Sequence, residues 1–510
     1  MLVTRGTGHY SLVAAAPLPI FIALLLRTRE HARMRDAVAL GITVAWAFSA
    51  DVYYAVYCIL IAAGFLAAEL VTFDSWRRVD GRRPRVTWAL DLVIICVAGL
   101  IVAILASRGW SFQFLGRVVR MRGLYTPMLV LTTLLAARVW LTWRPAWKGA
   151  ALPDVWRVVR LCSVGALVTA AVLSPVLYAM SVRISQGQFV SPKIYWRSSP
   201  RGLDLLAMIA PNPNHPFAPE SLRAWLTGRP DGYLEAVGSI SFVAIGAIVF
   251  AMRRGWRPPR LWTAGAIGAM LVALGPFIHI AGINTRIPGP WALLRYVPLV
   301  GLARSPARFY VVAMLALAVL LAVALVWLRR TIGLRPVVVI AALLIFELLP
   351  APRMLASARV PEFYYAIAAD PRPDISVLEL PFGIRDGASS VGNFTARSQF
   401  VQIVHGKPIL GGYLSRVSRR RVERIRRLPV LDALLRLSEG KDLTQAEIDR
   451  AAARVPRFVK RTNLGYVVID RKRAPASLVR FAVEHLDLDE LATDGDLTLY
   501  RPRHPAKQLR

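Results

Sequence analysis

Two groups of polar residues in this sequence have the types and spacing needed to handle a phosphate and a hydroxyl group. Arg304 and Arg308 stand four residues apart around Pro306, so one helical turn would place both guanidinium groups on one face. A planar guanidinium can make two hydrogen bonds to phosphate oxygens. Asp51 stands at the end of an apolar run, where a carboxylate could act as a base or hold a cation. We predict that these residues line one outer-leaflet cavity. The arginines would bind a phosphate there, and Asp51 would contact an acceptor hydroxyl group or a cation.

Each of these three residues also has a structural interpretation. Asp51 could cap the N-terminus of the next helix by accepting backbone N–H bonds. The two arginines could instead extend their charged ends from a helix start into water.

Four further residues are candidate substrate contacts. They are Tyr54 in the segment "ADVYYAVY", His215 in the proline-rich loop "MIAPNPNHPF", His9, and His405 in "QIVHGKPILGGYLSR". Tyrosines at this depth also form the aromatic belt of membrane proteins, and a lone histidine is more often a packing residue than a ligand. The sequence predicts no metal site, and a divalent cation is the one cofactor that it leaves open.

The composition is that of a membrane protein. Of the 510 residues, 55% are hydrophobic, the mean hydropathy is +0.47 and the net charge is +33. A soluble protein of this length could not bury so much apolar surface, which excludes an ordinary cytosolic enzyme, a disordered chain and a disulfide scaffold. The cations concentrate in short loops between apolar runs, so we attribute them to membrane topology and predict no nucleic-acid partner.

The apolar runs predict a polytopic α-helical membrane domain over residues 1–350. We expect about ten transmembrane helices, at 10–26, 36–50, 51–73, 88–106, 124–143, 158–181, 235–252, 261–281, 308–328 and 334–350. Every second loop is short and densely basic, which predicts that these loops are cytoplasmic and that both termini lie outside. An external amino terminus of this kind leads us to expect an odd number of helices upstream of Met1.

Residues 351–510 have a different character. They lack a run of membrane length and contain short strand-like segments at Ile375 to Leu380, Tyr466 to Ile469 and Leu497 to Tyr500. Helical patterns lie between these segments, at about 418–437, 444–454 and 475–485. We predict a small external α/β domain.

Several segments together resemble bacterial membrane proteins of the GT-C glycosyltransferase superfamily. They are "GHYSLVAAAPLPIFIALLLR" with "ADVYYAVY", the loop "MIAPNPNHPF", and "LGPFIHIAGINTRIPGPWALLRYVPLVGLARSPARF". "QIVHGKPILGGYLSR", "YVVID" and "LTLYR" look like the soluble tail of such proteins. The superfamily carries an acidic residue in a long first external loop, and no such loop occurs near the start of this sequence.

The resemblance implies a glycosyltransferase that uses a polyprenyl-phosphate-linked sugar as donor and works on the outer face of the bacterial inner membrane. Its partners would be the donor, a cell-envelope acceptor and membrane lipids. A non-enzymatic membrane protein of the same fold, acting in envelope glycan binding or assembly, is the alternative.

Overall fold

The structure is a computed structural model, and the part of the chain that it describes contains two compact units. The units are Met1–Arg353 and Met354–Arg510. The described residues are 14–78, 84–107, 110–114, 117–121, 123–149, 152–186, 196–197, 202–213, 215–227, 238–297, 300–302, 305–349, 358–386, 390–414, 417 and 419–503.

The described part of the first unit is mainly helical. Its helices are α1 Pro17–His31, α2 Met34–Ala50, α3 Val52–Leu70, α4 Pro84–Ser107, α5 Tyr125–Thr142, α6 Leu152–Val172, α7 Ser174–Ser185, α8 Leu205–Met208, α9 Glu220–Thr227, α10 Phe242–Arg253, α11 Arg260–Ala273, α12 Trp291–Leu294, α13 Tyr310–Ile332 and α14 Leu334–Glu347. Its strands form three antiparallel pairs, β1 Val71–Arg78 with β4 Trp143–Gly149, β2 Trp110–Phe114 with β3 Arg117–Met121, and β5 Phe277–Ile280 with β6 Ile283–Pro288.

Among the residues that the structure describes, fewer helices are long enough to span a membrane than the sequence predicts. Each of the ten predicted runs contains a helix, but among the described residues only three helices are long and apolar enough to cross a membrane: Arg85–Ser107, Tyr125–Thr142 and Pro306–Ile332. A fourth would be the pair Val159–Val172 and Ser174–Ser185, which is bent by 71°. Ten transmembrane helices are therefore not supported.

The difference arises because apolar composition does not determine helix length. A span needs about 20 residues, whereas helices such as Phe242–Arg253 and Arg260–Ala273 have between 10 and 17. The predicted run 261–281 illustrates this point, since its helix ends at Ala273 and the chain continues into the hairpin β5–β6. The predicted run 158–181 is interrupted at Leu173.

Close helix packing occurs where α2 crosses α6. Gly41 faces Gly165, and the Thr169 hydroxyl donates to the Gly41 carbonyl at 3.0 Å. A Cβ atom added at Gly41 would overlap the Gly165 carbonyl oxygen and lie 2.9 Å from the Cβ of Val168. This crossing therefore depends on the absence of a side chain.

A partly exposed ion pair joins α4 and α5, two of the three candidate spans. Arg138 donates to the two carboxylate oxygens of Asp91 at 2.6 and 3.2 Å. The pairing satisfies both charges within helices that are otherwise apolar, which is the arrangement expected of ionisable residues at membrane depth.

The second unit is an α/β domain with a five-stranded sheet between two helix layers. The strands are β7 Ser376–Leu380, β8 Gly383–Arg385, β9 Ser390–Gly392, β10 Ile409–Leu410, β11 Gly412–Tyr413, β12 Leu464–Asp470, β13 Leu488–Asp494 and β14 Leu497–Pro502. The helices are α15 Glu362–Ala369, α16 Arg397–His405, α17 Arg419–Arg426, α18 Pro429–Ser438, α19 Gln445–Ala452, α20 Val455–Thr462 and α21 Ala476–His485. The sheet order is β10-β7-β12-β14-β13, and β8, β9 and β11 form a smaller sheet.

Alternation along the central strands places the helices on opposite faces of this sheet. Leu378 and Leu380 of β7 pack in a core with α18, α20 and α21, whereas Val377 packs with α15 and α16. Strands β7, β12 and β14 lie on the three segments that the sequence predicts as strands. The predicted helix 418–437 is divided into α17 and α18 before Pro429, as the missing N–H and fixed φ of proline at a helix start require.

Gly41→Ala tests the packing of α2 on α6. An alanine normally stabilises a helix interior by up to about 1 kcal/mol relative to glycine, but here overpacking should cost about 1–3 kcal/mol. We expect a lower melting temperature of the detergent-solubilised protein. The matched control is Gly99→Ala in α4, where nothing lies within 4 Å of the added Cβ; it should melt at the wild-type temperature or above. Equal behaviour of the two variants would show that the crossing is not tightly packed.

The second unit should fold in isolation. Its sheet is covered on both faces by its own helices, so residues 354–510 bury a complete core. We expect the isolated segment to be soluble and monomeric, with mixed helix and strand in its circular dichroism spectrum and a cooperative urea transition. A segment that requires detergent or unfolds without cooperativity would contradict this division of the chain.

Candidate functional site

The fold brings Asp51 and Arg308 to one group of tyrosines. Asp51 lies between α2 and α3, and Arg308 lies in the 3-10 turn Pro306–Phe309 that leads into α13. The guanidinium of Arg308 stacks over the ring of Tyr53, with its carbon 4.5 Å from the ring centroid. Oδ1 of Asp51 accepts a hydrogen bond from the backbone N–H of the same Tyr53 at 2.9 Å. Two residues 257 positions apart in sequence thus meet at the start of one helix.

Buried aromatic side chains form the floor beneath this pair. Tyr57 contacts the ring of Phe309 at 4.8 Å between centroids and that of Tyr54 at 6.1 Å, and Phe309 contacts Trp291 at 5.3 Å. All four are buried, whereas Asp51, Tyr53 and Arg308 are half-exposed. The site therefore has a polar rim, open at its surface, above an apolar base.

The two charged side chains at the rim lie close enough to the buried tyrosines to interact with them. Asp51 and Arg308 both interact electrostatically with the hydroxyl groups of Tyr54 and Tyr57. The Tyr57 hydroxyl is buried and makes no hydrogen bond to any residue that the structure describes. A buried hydroxyl without a partner is unfavourable by about 1–3 kcal/mol, and such groups commonly accompany a bound ligand or water.

Two of the predicted site residues lie outside the described part of the chain. These are His9 and Arg304. Their assignment remains a prediction from sequence, and the geometry of the site rests on Asp51 and Arg308. Tyr54, which the sequence also predicts as a substrate contact, is fully buried and packs in the aromatic floor.

His215 closes the end of a helix. Its Nε2 lies 2.9 Å from the Phe346 carbonyl oxygen, and its Nδ1 accepts a hydrogen bond from the Phe217 N–H at 3.2 Å. A neutral imidazole has one donor and one acceptor, and both are used here. The ring also packs edge-on against Phe346. These contacts favour the structural interpretation of His215 over headgroup or metal binding.

Two acidic residues that were not among the predicted site residues also bind the ends of helices and turns. Glu347, at the end of α14, accepts hydrogen bonds from the Ser241 hydroxyl and from the N–H groups of Phe242 and Val243 at the start of α10. Asp204 caps α8 and also binds two N–H groups of the β5–β6 turn, at 2.7 and 3.0 Å. The N-cap pattern at Asp204 was visible in the sequence, but its second partner, far along the chain, was not.

His405 lies in the second unit and is buried there. Its ring stacks on Tyr364 at 5.9 Å, and Nδ1 accepts a hydrogen bond from the Lys407 N–H at 3.0 Å. Nε2 is buried and has no hydrogen-bond partner among the described residues. Burial, together with the nearby Lys407 charge, lowers the pKa of His405 to about 4. The ring is therefore neutral at physiological pH.

Lys407 is held by the backbone. Its Nζ donates to the carbonyl oxygens of Asp370 and Arg372 at 2.6 and 2.8 Å. The side chains of those two residues pair with each other, and the Arg372 guanidinium lowers the pKa of the Asp370 carboxyl well below its usual range. His405 and Lys407 thus belong to a packed polar network rather than to an open ligand site.

In the part of the chain that the structure describes, no group of three or more His, Cys, Asp or Glu side chains could hold a metal ion. The sequence matches no family model and no curated protein. The functional assignment therefore rests on the geometry around Arg308 and on the resemblance of the segments quoted above.

His405 should make the stability of the second unit pH-dependent. The unfolded chain protonates this ring below its ordinary pKa of about 6.5, whereas the folded domain does so only near about 4. The contribution to stability is complete above about pH 6.5 and is lost as the pH falls toward 4. Between pH 7.5 and 5.0 the loss should be about 2 kcal/mol in urea unfolding of residues 354–510.

The matched pair of variants is His405→Phe and His485→Gln. His405→Phe keeps an aromatic ring against Tyr364 and should abolish most of this pH dependence, whereas His485→Gln should retain it. An unchanged pH dependence in His405→Phe would show that another group is responsible.

Proposed function

We propose that the chain is a membrane-embedded GT-C-type glycosyltransferase. In this proposal it transfers a sugar from a polyprenyl-phosphate-linked donor to a cell-envelope acceptor on the outer face of the bacterial cytoplasmic membrane. The observation that carries the proposal is the convergence of Arg308 and Asp51 on one set of tyrosines, since this combines a phosphate-binding cation with a carboxylate.

The position of Arg308 suits a lipid-linked phosphate. Such a donor holds its phosphate at the headgroup level, with the lipid chain in the bilayer and the sugar in water. Arg308 lies in the turn Pro306–Phe309, at one end of the 27-residue candidate span Pro306–Ile332, where a headgroup would be expected. Stacking on Tyr53 positions the guanidinium at this level, and a guanidinium is the side-chain group best suited to bind phosphate oxygens.

The chemistry divides between the two rim residues. Transfer breaks the bond between the anomeric carbon and the phosphate oxygen, and the electron pair leaves with the polyprenyl phosphate. Arg308 stabilises the negative charge that develops on that leaving group. An acceptor hydroxyl forms the new bond to the anomeric carbon and gives its proton to Asp51.

The proposed orientation rests on charge distribution. The dense clusters of arginine lie in alternate short loops, which by the positive-inside bias are cytoplasmic. With Asp51 and Arg308 at the opposite edge, the site faces outward.

One observation favours the second candidate, a non-enzymatic protein that binds or assembles envelope glycans. Oδ1 of Asp51 accepts a hydrogen bond from the backbone N–H of Tyr53, so this oxygen already has a structural role at the start of α3. A binding protein would need Arg308 and the tyrosines but no proton acceptor.

Arg308→Ala should weaken donor binding. Loss of a charge-assisted contact to phosphate lowers affinity by about tenfold to a hundredfold, measured by the quenching of tryptophan fluorescence when a short-chain polyprenyl-phosphate sugar is titrated into nanodiscs. The control is Arg254→Ala. Arg254 is exposed and also stacks on an aromatic ring, with 5.3 Å to the Phe250 centroid, but lies at the end of another helix. Wild-type binding by Arg308→Ala would remove the basis of the site.

Asp51→Asn separates the two candidate functions. Asparagine caps a helix as well as aspartate does, so the fold and donor binding should persist. A glycosyltransferase should lose sugar transfer by about a hundredfold or more, as expected on removal of a general base. Full transfer activity in Asp51→Asn would assign proton removal to another group, and donor binding with no transfer in the wild type would favour the binding protein.

A further inference from the structure

One helix layer of the second unit has an exposed basic surface. Helices α17 to α21 cover the face of the sheet that carries Leu378 and Leu380. Residues 419–462, which form the first four of these helices, contain 13 Lys and Arg against 6 Asp and Glu. Residues 358–407, which contain the helices of the opposite layer, have five of each. The excess charge of the domain thus lies mainly on one face.

Helix α20 separates apolar and basic residues with the period of a helix. Its buried residues are Val455, Phe458 and Val459, and its exposed cations, with the residue before it, are Arg454, Arg457, Lys460 and Arg461. Within the described part of the chain, no carboxylate lies within ion-pair distance of these four cations. Cations that are buried or held in ion pairs usually have a structural role. These four cations are exposed and do not form such pairs with described carboxylates.

Helix α17 repeats the arrangement. Ile425 packs against the same core as α20, and the outward side chains are mostly basic, with Glu423 as the exposed acid. The exposed cations of α17 and the turn after it are Arg420, Arg421, Arg424, Arg426 and Arg427. In the neighbouring helix α18 the situation differs, since Arg436 donates to Glu447 of α19 at 2.6 Å. Among the described residues, no ion pair like that of Arg436 involves Arg420, Arg424 or Arg427, or the four cations at α20, so these side chains can contact an external anion.

We propose that the face formed by α17 and α20 docks on the anionic lipid headgroups of the membrane in which the first unit is embedded. Each Lys or Arg near such a surface adds a similar attraction, so two helices with three or more exposed cations each suffice for a stable contact. The chain also contains helices able to cross a membrane. Such helices would keep the domain at a high local concentration of lipid headgroups, so the contact needs little intrinsic affinity. This anchoring favours lipid over a soluble polyanion.

The test is vesicle binding by residues 354–510, first checked for folding by circular dichroism. The vesicles are phosphatidylcholine alone or with about 30% phosphatidylglycerol, enough to give a negative surface potential. We expect sedimentation with the anionic vesicles only, and release by 0.5 M salt, a concentration that screens surface charge at about 4 Å. Binding to both vesicle types alike would overturn the proposal.

Three variants, each lacking three cations, locate the contact. The first replaces Arg420, Arg424 and Arg427, in and directly after α17, with Gln. The second replaces Arg454, Arg457 and Arg461, directly before and in α20, with Gln. The control replaces Arg359, Arg397 and Lys472, elsewhere on the domain, with Gln. Each of the first two should weaken binding about tenfold, and the control less than about twofold. Equal losses in all three would show that net charge, not this face, is recognised.

Two further measurements complete the test. If the domain binds a short DNA duplex more tightly than anionic vesicles at equal phosphate concentration, the face serves nucleic acid and the proposal is wrong. In the full-length protein, trypsin cleavage after Arg457 and Arg461 should be slower in phosphatidylglycerol-containing nanodiscs than in phosphatidylcholine nanodiscs. Equal cleavage rates would contradict docking in the intact chain.

Discussion

The structure of the first unit depends on satisfying the backbone polar groups at the ends of short helices. Each helix end leaves several N–H or C=O groups without partners, and an apolar environment supplies none. The protein meets this requirement with side chains from distant parts of the sequence. Glu347 and His215 join the end of α14 to the start of α10 and to a proline-rich loop, and Asp204 joins α8 to the β5–β6 turn.

Asp51 belongs to the same system and also stands at the candidate site. Its bond to the Tyr53 N–H orders the first turn of α3, and the Tyr53 ring so positioned supports Arg308. A structural cap and the cation that we propose binds phosphate are thus connected through one tyrosine. This connection makes the orientation of Arg308 dependent on a helix end.

The second unit satisfies its polar groups differently. Its sheet is enclosed by helices on both faces, and buried polar residues such as His405 and Lys407 bond to nearby backbone. Burial leaves the imidazole neutral, whereas the cations of α17 and α20 remain in water. The domain therefore pairs buried polar groups within its own core and exposes a strongly basic surface on one face.

The sequence by itself determined which segments are apolar and which contain the strands of the second unit. Each of the ten apolar runs contains a helix, because hydrophobic composition is a local property, and the strand-like segments at β7, β12 and β14 are equally local. The short helices α8, α9, α12, α15, α16 and α20 were not predicted. Only the tertiary structure decided that α10 and α11 are too short to span a membrane and that α6 and α7 are bent at Leu173, since helix ends depend on contacts with distant residues. For the same reason Asp51 and Arg308 could be singled out by type, while their meeting at Tyr53 required the packing of α3 against the turn before α13.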